Sequence, residues 1–523
     1  MLVEGQDIAQ PPAGAVVRID VYSHHIKVTR FNRRIKDALL VYCRDIAQYG
    51  LKKVGRRFVK AMLRVFVGVT KDREEFHFHV NQLGEVIRHL GNSGIPERQI
   101  HMVRHRLYEP VEVEFDYIDK RDARDYQEPI IDYIVEDGKI KVVTLDPGRG
   151  KTFIALRAMN ILETRVFFNI KAMYIEKWIA DAKEAFNLKK GDLMVVKGSS
   201  HLKRLIDLAK AGELEAKIIL CSNMTFYKYL KDFEYWREDM LELGYGCLPG
   251  DFFETLGVGL RVIDEVHQDF HLNFRQDLYT HVPKTLSLSG TLESDDAFIN
   301  RMYEIMFPHD QRYKGNTRDI YIGVEALFYT FWNVDEKIRY VNKAMKSYSH
   351  ILFEQSVMKN KPVLKQYVDM VADITQDRYV DVRQKGQKMV IFQATVDLCT
   401  ITAKELQRRH PTLKVTRYVS EDDYEEMLEC DIIVSTLKSL GTAIDVPGLR
   451  VALLTDGLGS RQANLQCMGR LRRMKDYPDV TPEFLYLVCS DIEKHRTYHE
   501  KKKDVFRGRV VYHREIMTQY KLT

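Results

Sequence analysis

Seven cysteines occur in 523 residues, at positions 43, 221, 247, 399, 430, 467 and 489. They are scattered, odd in number, and form no C-x-x-C pair, which argues against a disulfide framework and against a structural zinc site. No apolar run approaches the ~18 residues needed to cross a bilayer, so no membrane partner is expected. The start, Met1-Leu2-Val3-Glu4-Gly5-Gln6-Asp7, has neither a basic stretch nor an apolar core, and no secretory leader is expected. These lacks together favour a reducing, cytoplasmic setting. What remains is 45% hydrophobic and 29% charged, the balance of a globular chain long enough for about three domains of roughly 150 residues.

The net charge of +6 is uneven. Residues 1–110 hold 19 Lys and Arg against 11 Asp and Glu, a balance of +8 that leaves −2 for the rest. A basic N-terminal part on a near-neutral body suits a polyanionic partner or a solvated basic face. This part reads as a small α+β domain. Val16–Tyr22 and Phe76–Val80 alternate like strands, and residues 32–49 have helical spacing. Between them, residues 51–60 carry Lys52, Lys53, Arg56, Arg57 and Lys60 around Phe58, a pattern that can follow a phosphate backbone. His77 and His79 share a strand face but have no Cys or carboxylate partner at ligand spacing.

From residue 140 apolar strands alternate with helices. Strands are expected near 140–145, 165–169, 192–196, 217–221, 260–263 and 284–288, which implies βαβ units and a parallel sheet. The first strand runs into Thr144-Leu145-Asp146-Pro147-Gly148-Arg149-Gly150-Lys151-Thr152. The full phosphate-loop pattern has glycine where Leu145 stands. Even so, Gly148 and Gly150 can turn backbone N–H groups inward, Arg149 lies between them, and Lys151 and Thr152 open a helix. Such a loop can cradle phosphate, with Thr152 placed to ligate Mg²⁺; alone it is equally a strand-to-helix turn. Gln127, 24 residues before Lys151, has the donor and acceptor needed for the N6/N7 edge of adenine, or is a surface glutamine at a helix start.

Downstream, Arg261-Val262-Ile263-Asp264-Glu265-Val266-His267 ends an apolar strand in adjacent carboxylates. Asp264 is placed to hold Mg²⁺ and Glu265 to orient and polarise water, as phosphoryl transfer requires. Ser287-Leu288-Ser289-Gly290-Thr291-Leu292 ends the next strand with two hydroxyls around a glycine, which can relay hydrogen bonds from a hydrolysis site to a second site; alone it is a turn. Residues 293–385 read as helices and a linker, with helical spacing at Ile338, Val341, Ala344, Met345 and Tyr348. A second α/β lobe begins near residue 387 and has no phosphate loop of its own. Its loops carry Thr436, Lys438 and Asp445, then Gln466-Cys467-Met468-Gly469-Arg470-Leu471-Arg472-Arg473. On a helix, Gln466, Gly469, Arg470 and Arg473 would share one face, with guanidinium groups able to act as arginine fingers. Residues 491–523 hold nine Lys and Arg against five Asp and Glu and read as a surface helix or basic tail.

In this order, from Gln127 to Arg473, the motifs resemble those of superfamily 2 helicases of the DEAH/DEAD-like type. The size and the small leading domain look most like the UvsW-type recombination (branch-migration) helicases of phages. Leu145, Arg149, Ala443 and Asn169-Ile170-Lys171 depart from the usual pattern. The resemblance implies two RecA-like parallel-sheet lobes, expected at 111–325 and 326–490, behind a basic domain at 1–110. It implies ATP and Mg²⁺ as cofactors, with Gln127, Gly148, Arg149, Gly150, Lys151, Thr152, Asp445 and Gln466 at the nucleotide. Lys151, Asp264, Glu265, Arg470 and Arg473 would be catalytic, Thr152 and Asp264 would hold the metal, and His267, Ser289 and Thr291 would couple the sites. Lys171, Thr436 and Lys438 would touch nucleic acid, as would the basic stretch. The implied activity is ATP-driven 3′→5′ translocation that remodels forks, D-loops and four-way junctions. The expected partners are single-stranded and branched DNA and other recombination or replication proteins, in the cytoplasm of a bacterial host. An RNA helicase and a clamp with a degenerate motor stay open as alternatives.

Overall fold

The structure is a computed structural model that describes residues 14–54, 57–146, 148–315, 319–342, 347–419, 422–437, 439–440, 446–474 and 476–523, with backbone alone for 51–54, 57, 58 and 424. The chain divides into two compact units. One comprises residues 1–145 and 150–317; the other comprises 318–523 with loop residues 146–149.

The first unit holds two principal sheets. The N-terminal one has five strands in the order Gly68–Val69, Phe76–His79, His25–Thr29, Val17–Val21, Ile100–Arg104. The helix expected over 32–49 stops earlier, at Asp45. Asn32 caps it by accepting from the Ile35 N–H at 3.0 Å. The chain then enters a separate antiparallel hairpin, Ala47–Val54 with Arg57–Val65, so the basic stretch lies on a ribbon. Its Val54, Phe58, Val59 and Val65 are β-branched or aromatic, the types that strands favour.

The second sheet has six parallel strands in the order Leu193–Val196, Ile218–Ser222, Arg165–Ile170, Val258–Ile263, Lys284–Ser289, Ile140–Thr144. The central ones are buried on both faces, as near-continuous apolar runs require. The two sheets share one hydrophobic core. Phe66 packs edge-on against Phe274, with ring centroids 4.9 Å apart. The fully buried Arg261 pairs with Asp277, and His79 Nε2 lies 3.5 Å from the same carboxylate. His79 therefore belongs to this packing, and the described residues contain no cluster of three metal-ligating side chains.

The second unit is built on seven parallel strands in the order Val415–Tyr418, Ile432–Thr436, Lys388–Gln393, Leu449–Leu454, Glu483–Cys489, Gly323–Phe331, Tyr512–Leu522. Two parallel α/β lobes are thus present, as expected. Two local expectations fail. Where helical spacing runs from Ile338 to Tyr348, the described residues form a short antiparallel pair, Val341–Asn342 with Ser347–Tyr348. After the helix Glu493–Phe506, the chain is an eleven-residue edge strand and not a tail. Ile516, Thr518, Tyr520 and Leu522 alternate on its less exposed side, as in a half-buried strand. No described helix is long and apolar enough to cross a membrane.

Candidate nucleotide site

The strand Ile140–Thr144 ends at a loop whose Gly148 and Gly150 have φ of +84° and +80°. Both lie in the left-handed region that favours glycine. Gly150 is the N-cap of the helix Lys151–Leu162 and provides no side-chain cap. No side chain caps the first N–H groups of this twelve-residue helix, and its dipole favours negative charge there. Lys151 and Thr152 are its first two residues, and Lys151 Nζ pairs with Glu265 Oε1.

Glu265 follows the strand Val258–Ile263 and has φ of +48°. A non-glycine residue there carries strain of order 1–3 kcal/mol, which the surrounding structure must impose. The turn is held from both sides. Val266 N–H donates to Leu288 O at 3.0 Å, and Gln268 N–H donates to Glu265 O at 2.8 Å. From this turn the Glu265 carboxylate meets Lys151. Burial raises the Glu265 carboxyl, but Lys151 and His267 outweigh it and hold it below the usual range. Asp264 moves the other way: burial and the charge of Glu265 push it up. It accepts from Trp178 Nε1 at 3.0 Å. A carboxyl with this shift is one whose ionised form a divalent cation would stabilise.

His267 Nδ1 lies 2.7 Å from Ser289 Oγ and 3.3 Å from Glu265 Oε2. Ser289 Oγ donates to Thr291 O at 2.6 Å and accepts from Thr291 N–H at 3.2 Å. With the serine proton used on Thr291, the hydrogen-bond network assigns the imidazole proton to Nδ1. Burial lowers the His267 pKa to about 4, so this ring is neutral near pH 7. Lys151, Glu265, His267, Ser289 and Thr291 thus form one connected chain, running from the helix start across two strand ends.

Gln127 is buried. Its Oε1 accepts from the Arg124 N–H at 3.0 Å, closing the turn before the helix Glu128–Val135. Its Nε2 sits where a Cβ on Gly150 would fall, so the glutamine and the glycine loop are neighbours. Arg149 is half-buried, its N–H turning back toward Asp146 O at 3.3 Å. Lys171 follows the strand Arg165–Ile170, with Nζ 4.0 Å from Asp269 Oδ1. Asp269 also accepts from Asn223 Nδ2 at 2.8 Å. Residues that follow three strand ends of the six-stranded sheet therefore meet near Lys171.

In the second unit Thr436 closes the strand Ile432–Thr436, its hydroxyl 2.8 Å from Ser439 Oγ. The helical face expected for Gln466, Gly469, Arg470 and Arg473 is not formed. The helix Arg461–Met468 ends with Gly469 as its C-cap, so only Gln466 lies on it. Arg470 is 7% exposed. Arg473 is exposed, pairs with Asp319 Oδ1 at 2.8 Å, and lies over the Tyr321 ring at 5.0 Å. The helix stops at Gly469, before both guanidinium groups, so it carries neither of them.

The segment leading to them is tied down from behind. Gly457 N–H donates to His350 Nδ1 at 3.0 Å, and Lys502 Nζ donates to Leu458 O at 2.7 Å. Burial lowers the Lys502 pKa to about 8. Neither Lys502 nor Trp178 was marked as functional in the sequence, because each makes its contact across a long sequence gap. Lys438, Asp445 and Arg56, and the side chains of Lys52, Lys53 and Arg57, lie outside the described residues.

No family model matches the chain, and no curated protein matches it. Solved structures do. The helicase domain of Hef from Pyrococcus furiosus is 14% identical, with a TM-score of 0.43 over 73% of this chain and 98% of that one. S. cerevisiae Dbp5 bound to RNA and ADP BeF3 is 11% identical, with a TM-score of 0.47 over 76% of this chain and 90% of that one. Its L327V variant gives 11% and 0.46, over 74% and 88%. At these values the likeness carries no further weight, and what the site can do follows from its own geometry.

Proposed function

We propose that the protein is a nucleic-acid-dependent ATP hydrolase that remodels branched DNA such as forks, D-loops and four-way junctions. One observation carries the reading. Lys151, at an uncapped helix start after a glycine loop, is paired with Glu265, which strained backbone holds at the end of another strand. A lysine beside an anion site and an acid pair at another strand end of the same sheet are the parts that phosphoryl transfer needs.

Thr152 and Asp264 would hold Mg²⁺, whose charge offsets that of the triphosphate. Lys151 would turn from Glu265 to the phosphate, leaving Glu265 to accept a hydrogen bond from the attacking water. His267, joined to both Glu265 and Ser289, would report that change to Thr291 and the strand end beyond. Arg470 and Arg473 would supply the guanidinium charge, and Asp445 and Gln466 would lie at the nucleotide. Lys171, Thr436 and Lys438 would face the strand being moved, while Lys52, Lys53, Arg56 and Arg57 of the basic ribbon would hold a duplex arm. The choice of branched DNA, and of 3′→5′ movement, rests on the motif resemblance.

The test is ATP hydrolysis and unwinding on matched fork, D-loop, four-way-junction and RNA-duplex substrates. DNA should stimulate hydrolysis, and branched forms should be unwound best. Equal or greater stimulation by RNA would redirect the substrate assignment. Hydrolysis that no nucleic acid stimulates would overturn it.

A further inference from the structure

A cavity of about 640 Å³ opens between the N-terminal sheet and the six-stranded sheet, within the first unit. Its charged lining is mainly basic. Arg104 and Arg106 come from the end of the strand Ile100–Arg104 and the residues after it, and Lys139 and Lys141 from the start of the strand Ile140–Thr144. Two carboxylates, Asp137 and Asp310, share it. Arg104, Arg106 and Lys139 are exposed, and among the described residues none has an ion-pair partner. Lys141 is buried, with Nζ 4.5 Å from the centre of the Tyr133 ring.

The walls are fixed by neutral contacts that leave these cations available. Tyr133 OH donates to Gln311 O at 2.6 Å, and Asn81 and Gln311 exchange amide hydrogen bonds at 3.1 Å. Behind them Lys284 Nζ donates to Ile134 O, Val135 O and Glu136 O at 2.8, 3.0 and 2.6 Å, capping the helix Glu128–Val135. The site is therefore preformed, and its excess positive charge is unspent.

Its position separates it from the nucleotide loop. Lys139 and Lys141 stand where the strand Ile140–Thr144 begins, and the glycine loop leaves where that strand ends. Five residues of strand span about 16 Å. Strand ends near Lys171 lie on the nucleotide side as well. The cavity is at the opposite edge of the sheet, built jointly by the N-terminal sheet and the lobe it packs on.

We infer that this cavity holds the phosphodiester backbone of a nucleic-acid arm, at a second contact apart from the track near Lys171 and from the basic ribbon. The inference rests on the proposed function for the kind of ligand, and on the cavity for its place. Unpaired arginine and lysine heads around a polar cavity suit successive phosphates; a lone small anion would leave most of them unused.

The experiment uses the full chain with Arg104→Glu, Arg106→Glu and Lys139→Glu combined. All three side chains are exposed, and unchanged thermal unfolding verifies folding. Binding to a fluorescein-labelled fork is read by anisotropy at about 50 and about 200 mM salt. The variant should bind at least about tenfold more weakly, and its salt slope should fall by about three, one per lost phosphate contact. The triple Gln variant should move the same way by less. Hydrolysis stimulated by a single strand should persist. Unchanged fork affinity and slope would overturn the inference. So would a variant that binds forks normally but no longer binds inorganic phosphate, since that marks a small-anion site. A wild-type chain that binds forks through these residues yet hydrolyses no ATP would leave the inference standing and remove the motor reading.

Discussion

The two units treat their candidate catalytic charges in opposite ways. In the first, Lys151, Glu265 and His267 already meet, and a left-handed backbone at Glu265 holds the meeting in place. In the second, Arg473 rests on the surface against Asp319 and Tyr321, while Arg470 is buried beyond a helix that ends before it. An exposed ion pair is worth about 1 kcal/mol or less, so Arg473 can leave Asp319 at little cost. A largely buried lysine–glutamate pair is costly to break unless another charge replaces a partner. The contrast is between a largely buried lysine–glutamate pair held in place and an arginine held only by an exposed pair. On the proposed reading, an incoming phosphate would release the first and the second would be free to be redirected.

The largest effect should come from the assembled side. Lys151→Ala should remove nucleotide binding and hydrolysis together, a loss of about 10³-fold or more in turnover. Next comes the mobile side. Arg473→Ala should lower turnover by roughly 10³-fold while ATP affinity, measured by titration, stays nearly unchanged. If Arg473→Ala weakened binding as much as turnover, the contrast between the units would fail.

Ser289→Ala tests the internal wiring. It strips His267 Nδ1 of its nearest partner and should cost about 1–3 kcal/mol in chemical denaturation. It should also lower unwinding per ATP hydrolysed more than it lowers hydrolysis.

Acid should weaken the first unit. Burial lowers the pKa of His24 to about 3, and of His267, His271 and His281 to about 4. A histidine whose folded pKa is depressed binds fewer protons folded than unfolded. Stability is therefore complete above about pH 6.5 and falls as pH drops toward 4, by at most about 1.4 kcal/mol per pH unit for each ring. Fluorescence of Trp178, buried on the helix Ile175–Ala185 beside Asp264, reads that unit directly. A Trp178 transition that did not move between pH 7 and 5 would contradict it. The smallest effect belongs to Asp319→Asn, which should change stability by less than about 1 kcal/mol and leave hydrolysis intact or modestly faster.

Much of this was legible in the chain. The strands of the six-stranded sheet were readable because parallel strands buried on both faces are short apolar runs bounded by turns, as Arg165–Ile170 and Val258–Ile263 show. The glycine loop and the acid pair were readable because their chemistry lies in adjacent residues. Contacts between distant residues were not. Trp178 reaches Asp264 across 86 positions, and Lys502 reaches Leu458 across 44. Helix ends were the other weakness. Gly469 was counted into a helical face although it ends the helix, and Asp45 ends one whose spacing continued to Tyr49. Arg104 and Lys139 are unremarkable in sequence and line one cavity only because two sheets bring them together.

The most direct measurement is nucleic-acid-stimulated ATP hydrolysis by the Glu265→Gln chain, with ATP binding followed in the same preparation. Binding should persist, because Lys151 and the glycine loop are untouched, while hydrolysis falls by about 10³-fold. Hydrolysis at the wild-type rate would mean that the Lys151–Glu265 pair is structural, and that the chemistry, if any, lies elsewhere in the chain.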